Sequence, residues 1–113
     1  MMKRMLLPLT LVLTAGCPGP VSPETARVDD ILALTAEADA DAGAAVYAGR
    51  CENCHGADGM GNIGPNMFES MAASDDQTLL TSVVEGIAGM PAAGDLDDQT
   101  LADLWAYIAR EFG

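Results

Sequence analysis

The sequence predicts an all-α domain completed by a bound cofactor, and three observations carry that reading. Apolar residues recur at helical spacing in two stretches: Leu79, Leu80, Val83, Val84 and Ile87, then Leu101, Leu104, Trp105, Ile108 and Phe112. Each stretch follows a helix-starting pattern, the capping-box sequence Ser74-Asp75-Asp76-Gln77 in the first and Asp97 in the second. The 113 residues make one domain, half hydrophobic but with few aromatic side chains (Tyr47, Phe68, Trp105, Tyr107 and Phe112), and Ala and Gly carry much of the rest. A domain this small buries a modest fraction of its surface, and small side chains fill volume poorly, so a cofactor is expected to supply part of the core.

The N-terminus is predicted to be an address rather than fold. Met1-Met2-Lys3-Arg4 is basic, Met5 to Leu13 is apolar except for Thr10, and small residues follow, so residues 1–16 read as a signal peptide. The apolar run is about half of the roughly 20 residues a spanning helix needs. Leu13-Thr14-Ala15-Gly16-Cys17 resembles the lipobox of bacterial lipoproteins, with a departure at Thr14, where that family usually has Leu. The resemblance implies that Cys17 is lipidated and begins the mature chain, several acyl chains holding the domain to a bilayer. The alternative is an ordinary cut nearby that leaves Cys17 a free thiol.

Residues 17–40 are predicted to be the lipid-attachment cysteine and a linker, stiffened by Pro18, Pro20 and Pro23. Within it, Val28, Ile31, Leu32 and Leu34 form an apolar patch expected to pack on the domain, which runs over 41–113. Asp41 or a neighbour starts a first helix running into Cys51. Gly43 carries a propensity cost there, offset if a second helix approaches closely, and Tyr47 lies one turn on along the same face.

Cys51-Glu52-Asn53-Cys54-His55 carries the chemistry. C-x-x-C-H is the c-type haem attachment pattern: thiols three positions apart reach two vinyl groups of one porphyrin, and the adjacent imidazole meets the iron. A thioredoxin-like C-x-x-C needs a βαβ context, which is absent, and a zinc site needs four ligands, whereas Cys17 is the only further Cys or His. The four glycines between Gly56 and Gly64 lack the Lys-Ser/Thr and the strand of a phosphate loop, and read as a tight loop against the haem.

The sixth iron ligand is sought among the methionines, because His55 is the only histidine. Met60 lies too close to His55 to wrap to the opposite face. Met67 and Met71 sit just past Pro65, and Met90 stands in Gly89-Met90-Pro91, where Pro91 restrains it to extended backbone. Met90 is the favoured ligand, with Met67 the runner-up and plain core packing the bland alternative. Gly86 and Gly89 end the preceding helix. In the last helix Leu96 and Leu101 flank the Asp97 cap as a hydrophobic staple, and Trp105 and Tyr107 read as core.

The formal charge is -12, and removing residues 1–16 leaves Arg27, Arg50 and Arg110 against all the acidic residues, with no lysine. This excludes nucleic acid as a partner and allows a redox protein partner with a basic docking surface.

From about residue 41 to 112 the chain resembles class I c-type cytochromes, small all-helical electron carriers. The likeness rests on Gly43-x-x-x-Tyr47, Cys51 to Gly56, Gly64-Pro65-Asn66, Gly89-Met90-Pro91 and Leu104-x-x-Tyr107, in the family's order. It implies three to five helices wrapped around one covalent haem c, with the N- and C-terminal helices crossing. It implies thioethers from Cys51 and Cys54, iron ligation by His55 and Met90, and a Pro65 carbonyl accepting from the second imidazole nitrogen of His55. The lysine ring of many mitochondrial relatives is missing, so their partners do not carry over.

The expected function is single-electron transfer at the extracytoplasmic (periplasmic) face of a bacterial membrane, with no small-molecule substrate and no enzyme activity of its own. Two alternatives stand beside it: a haem c subunit of a larger membrane redox complex, and a five-coordinate sensor or peroxidase. The second lacks a further His or a distal Arg–His pair.

Overall fold

Helix α1 (Pro23–Thr35) occupies much of what the sequence predicts to be linker. The computed structural model describes residues 22–113. Ser22 caps α1 by accepting from the Thr25 N–H, and Pro23 stands at its first turn, where a missing N–H costs nothing. Residues 23–35, read from sequence as part of the linker, thus include a regular helix. Val28 and Ile31 are fully buried, 0% exposed, so the apolar patch folds as a helix that belongs to the domain.

α2 (Ala40–Arg50) is capped by Asp39, whose carboxylate accepts from the N–H groups of Asp41 and Ala42. It is followed by a single turn, α3 (Glu52–His55), and by α4 (Met67–Ala73), capped by Asn66. α5 (Asp76–Glu85) and α6 (Asp98–Phe112) complete six helices among the described residues, against the three to five expected. The excess arises because α1 folds and the attachment motif forms a turn of its own.

The cap of α5 also differs from expectation. Asp75, not Ser74, accepts from the Thr78 N–H at 2.8 Å; Ser74 closes α4, and Gln77 donates to Asp29 of α1 at 2.7 Å. A carboxylate outcompetes a hydroxyl at the positive end of a helix. The backbone N–H of Thr78 holds the Asp75 carboxyl below the usual carboxylate range, and that of Thr100 does the same for Asp97, the cap of α6.

α2 crosses α6, so the crossing pair is the second and last helices of the described chain. A Cβ on Gly43 would lie 1.9 Å from the Asp103 carbonyl oxygen and 2.9 Å from the Tyr107 Cβ. One turn on, Tyr47 is buried with its ring 5.4 Å from that of Tyr107 and 5.3 Å from that of Phe112. Arg110 pairs with Asp41 across the crossing. The protein core is Val28, Ile31, Tyr47, Leu80, Leu101, Leu104, Trp105 and Ile108, from α1, α2, α5 and α6. α4 buries no residue of its own. The segment from α3 through α4 therefore borders an open interior instead of filling it.

Candidate functional site

The end of α2 sets the site. The Cys51 N–H still bonds to the Tyr47 carbonyl at 2.8 Å, while the Cys51 carbonyl accepts from both Cys54 and His55. One helical turn thus presents two thiols three positions apart with the imidazole beside them. Gly56, at φ +84°, stops the turn, and its carbonyl accepts from the Tyr47 hydroxyl at 2.8 Å. Burial pushes that phenol up to about 12, so it stays a donor.

The glycine-rich loop then doubles back. Gly61 N–H donates to the His55 carbonyl at 2.8 Å and Gly64 N–H to the Cys54 carbonyl at 2.7 Å. These bonds bring the Pro65 carbonyl within 2.8 Å of His55 Nδ1. A carbonyl only accepts, so Nδ1 carries the proton, and the lone pair of the neutral ring belongs to Nε2. His55 is 8% exposed. A Cβ on Gly64 would fall 2.9 Å from His55 Cε1, so a side chain there would push the ring aside.

The Met90 loop is shaped as tightly. Gly86 (φ +78°) ends α5, and Ile87 and Met90 exchange backbone bonds across a turn with Gly89 at φ +78°. Ala93 N–H returns to the Val83 carbonyl at 2.8 Å.

A cavity of about 470 Å³ lies between these segments. Cys51, Cys54, His55, Pro65 and Met90 all line it, so five residues spread over forty positions of sequence converge. An adjoining cavity of about 110 Å³ shares Cys51, His55, Pro65, Val83 and Met90 and adds Met67, Met71, Trp105 and Ile108. Met60 is 59% exposed and lines neither cavity. Cys17 lies outside the described residues. α5 divides its apolar residues: Leu79 and Val83 face the cavities, whereas Leu80 and Val84 pack in the core. Trp105 is a cavity wall as well as core, a role that its helical spacing with Ile108 allowed but did not identify.

The donor set and walls fit haem c. The volume falls in the range of about 300–1,000 Å³ typical of cofactor pockets. No carboxylate lines either cavity, and Arg50, the charged residue on the wall of the larger one, is paired with Asp95. Cys51 and Cys54 are not disulfide-bonded. Burial, opposed by Arg50, pushes the Cys51 thiol up to about 11. A redox-active C-x-x-C needs the opposite shift.

Residues 38–108 match the family described as "Cytochrome C oxidase, cbb3-type, subunit III". A cbb3-type cytochrome c oxidase subunit FixP from Bradyrhizobium sp. is 39% identical over 77 residues, which make up 62% of this chain and 27% of that protein. A cytochrome c-553-like protein from Synechocystis sp. is 31% identical over 81 residues, 72% of this chain and 75% of that protein. The chain thus spans about a quarter of the first relative and most of the second. No solved structure matches.

Proposed function

The chain belongs to the c-type cytochrome family of cbb3-type oxidase subunit III, and on that premise we propose that it is a single-electron carrier whose one haem c is ligated by His55 and Met90. The observation that carries this reading is an imidazole with Nε2 left free by the Pro65 bond, lining one cavity with two thiols and a thioether.

Haem c bound here supplies an Fe(III)/Fe(II) couple. Cys51 and Cys54 would hold the group covalently. The Pro65 carbonyl orients the His55 ring and makes it a stronger electron donor. Met90, a soft thioether, would favour the reduced metal and so a raised potential, and the lack of carboxylates on the cavity walls among the described residues would work the same way. Held by both His55 and Met90, the iron would keep no open position for a small substrate. Ile63, 80% exposed, and Ile87, 58% exposed, line the larger cavity where it opens to solvent, and offer an apolar edge to a redox partner.

Met90→Ala is expected to abolish the weak long-wavelength absorption that marks ferric iron–sulfur ligation and to open the reduced form to CO, while Met67→Ala keeps the parent spectrum. The reverse result assigns the ligand to Met67.

The tether at Cys17 is part of the same reading. Among the described residues no helix is long and apolar enough to cross a membrane. Mass spectrometry of the mature N-terminus is expected to find acylated Cys17; an unmodified Cys17, or a start elsewhere, removes the anchor. The match to an oxidase subunit family favours a second reading, a haem subunit of a membrane redox complex. Co-purification from gently solubilised membranes separates the two.

A further inference from the structure

Arg27 reaches from α1 to the chain that follows Met90. Its Nη1 donates to the Gly94 carbonyl at 2.9 Å, its Nη2 to the Leu96 carbonyl at 2.7 Å, and its Nε to Asp98 Oδ1 at 2.8 Å. One planar fork thus joins two loop carbonyls to the first residue of α6. We propose that Arg27 is a positioning residue for Met90, α1 acting as a strap that holds the ligand-bearing loop against the cavity; this rests on the reading of Met90 as the axial ligand.

Three observations support the strap. α1 is itself anchored, since Val28, the next residue, and Ile31 are fully buried. The loop is pressed on α5, because a Cβ on Gly94 would lie 2.8 Å from the Val84 carbonyl oxygen and 3.4 Å from Arg27 Nη1. Arg50, the residue before Cys51, pairs with Asp95 between the two carbonyls that Arg27 holds. Segment 94–98 is therefore tied both to α1 and to the end of the helix that presents the attachment motif. Met90 lies four residues before Gly94, joined to it through Ala93, whose N–H is fixed on Val83.

The chain also makes loosening visible. After residue 16 it has no lysine and no histidine besides His55. A Met90 that swings away therefore has no strong nitrogen donor to replace it, and the vacated position is open to an added ligand.

The test uses the ferric holoprotein, with imidazole as the added ligand in stopped flow, beside the iron–sulfur band and the reduction potential. Arg27→Gln removes charge and fork, and Arg27→Lys keeps the charge and loses the fork. Both are expected to bind imidazole roughly tenfold faster than the parent, the loss expected for charge-assisted bonds, with a lowered potential. Arg110→Gln removes an arginine pair outside the strap, the one with Asp41, and is expected to stay within about twofold of the parent. An Arg27→Lys protein that binds at the parent rate overturns the proposal, as does an Arg110→Gln protein as fast as Arg27→Gln. Should Arg27→Gln not accumulate as holoprotein, Arg27→Lys decides alone. Met90→Ala separates the layers: if it loses the band while the Arg27 variants behave as the parent, only the strap falls; if it keeps the band, the ligand assignment and the strap fall together.

Discussion

Replacing Cys51 and Cys54 together by alanine is expected to abolish covalent haem and to destabilise the domain more than any single truncation in its core. The first effect follows from chemistry, because among the described residues no other thiol lines either cavity. The second follows from where the core is. The buried apolar side chains come almost entirely from α1, α2, α5 and α6, whereas α3 contributes His55 and α4 contributes nothing. The walls of the 470 Å³ cavity therefore need the cofactor as packing as well as for electron transfer. Large truncations in cores cost about 3–5 kcal/mol. Losing the whole filling of this space is expected to exceed that, a large share of the roughly 5–15 kcal/mol that holds a domain together. Acid-acetone extraction followed by a pyridine haemochrome assay reads the first effect, and a thermal melt reads the second. Pigment that survives extraction contradicts the thiol assignment, and a melt at the parent temperature contradicts the cofactor as core.

Gly43→Ala is expected to destabilise the fold by about 2–4 kcal/mol, although alanine is the better helix former by about 1 kcal/mol. The added Cβ would stand 1.9 Å from the Asp103 carbonyl oxygen, 2.5 Å from its carbon and 2.9 Å from the Tyr107 Cβ. These are backbone atoms and the root of a side chain, which cannot swing aside, so α2 has to lift off α6. Tyr47 would then lose its ring contacts with Tyr107 and Phe112. Gly49 in the same helix is the control: a Cβ there meets no protein atom within 4 Å, though Gly49 borders the larger cavity. Gly49→Ala is expected to be neutral or to stabilise by up to about 1 kcal/mol. Urea unfolding of both holoproteins checks the pair, and equal effects would remove the close crossing as the reason for Gly43.

The parts of the fold and site that were legible in the sequence are those whose chemistry is local. The attachment pentapeptide carries its meaning in five consecutive residues. Asp97 sits directly before an apolar repeat and caps it in the structure. Gly43 and Tyr47 pointed to a close helix crossing, and the structure places Tyr107 there; the nearest obstacle, however, is the Asp103 backbone, which no side-chain pattern reveals. What was not legible depends on distant or main-chain partners. Arg27 bonds to carbonyls 67 and 69 positions away, and a carbonyl has no sequence signature. α1 was hidden because three nearby prolines read as an extended linker, although Ser22-Pro23 is also a good helix start. Ser74 and Asp75 offered two overlapping caps, and in the structure Ser74 ends α4 while Asp75 caps α5.

The docking of α1 shortens the leash. With residues 17–40 extended, a domain anchored at Cys17 would roam some 80 Å from its attachment point, at about 3.3–3.6 Å per residue. Because α1 is capped at Ser22, an anchor at Cys17 would be separated from it by so few residues that even full extension spans only about 20 Å. A carrier anchored there, as proposed, would stand close over the lipid headgroups and meet neighbours anchored beside it, rather than sweep a wide volume for partners.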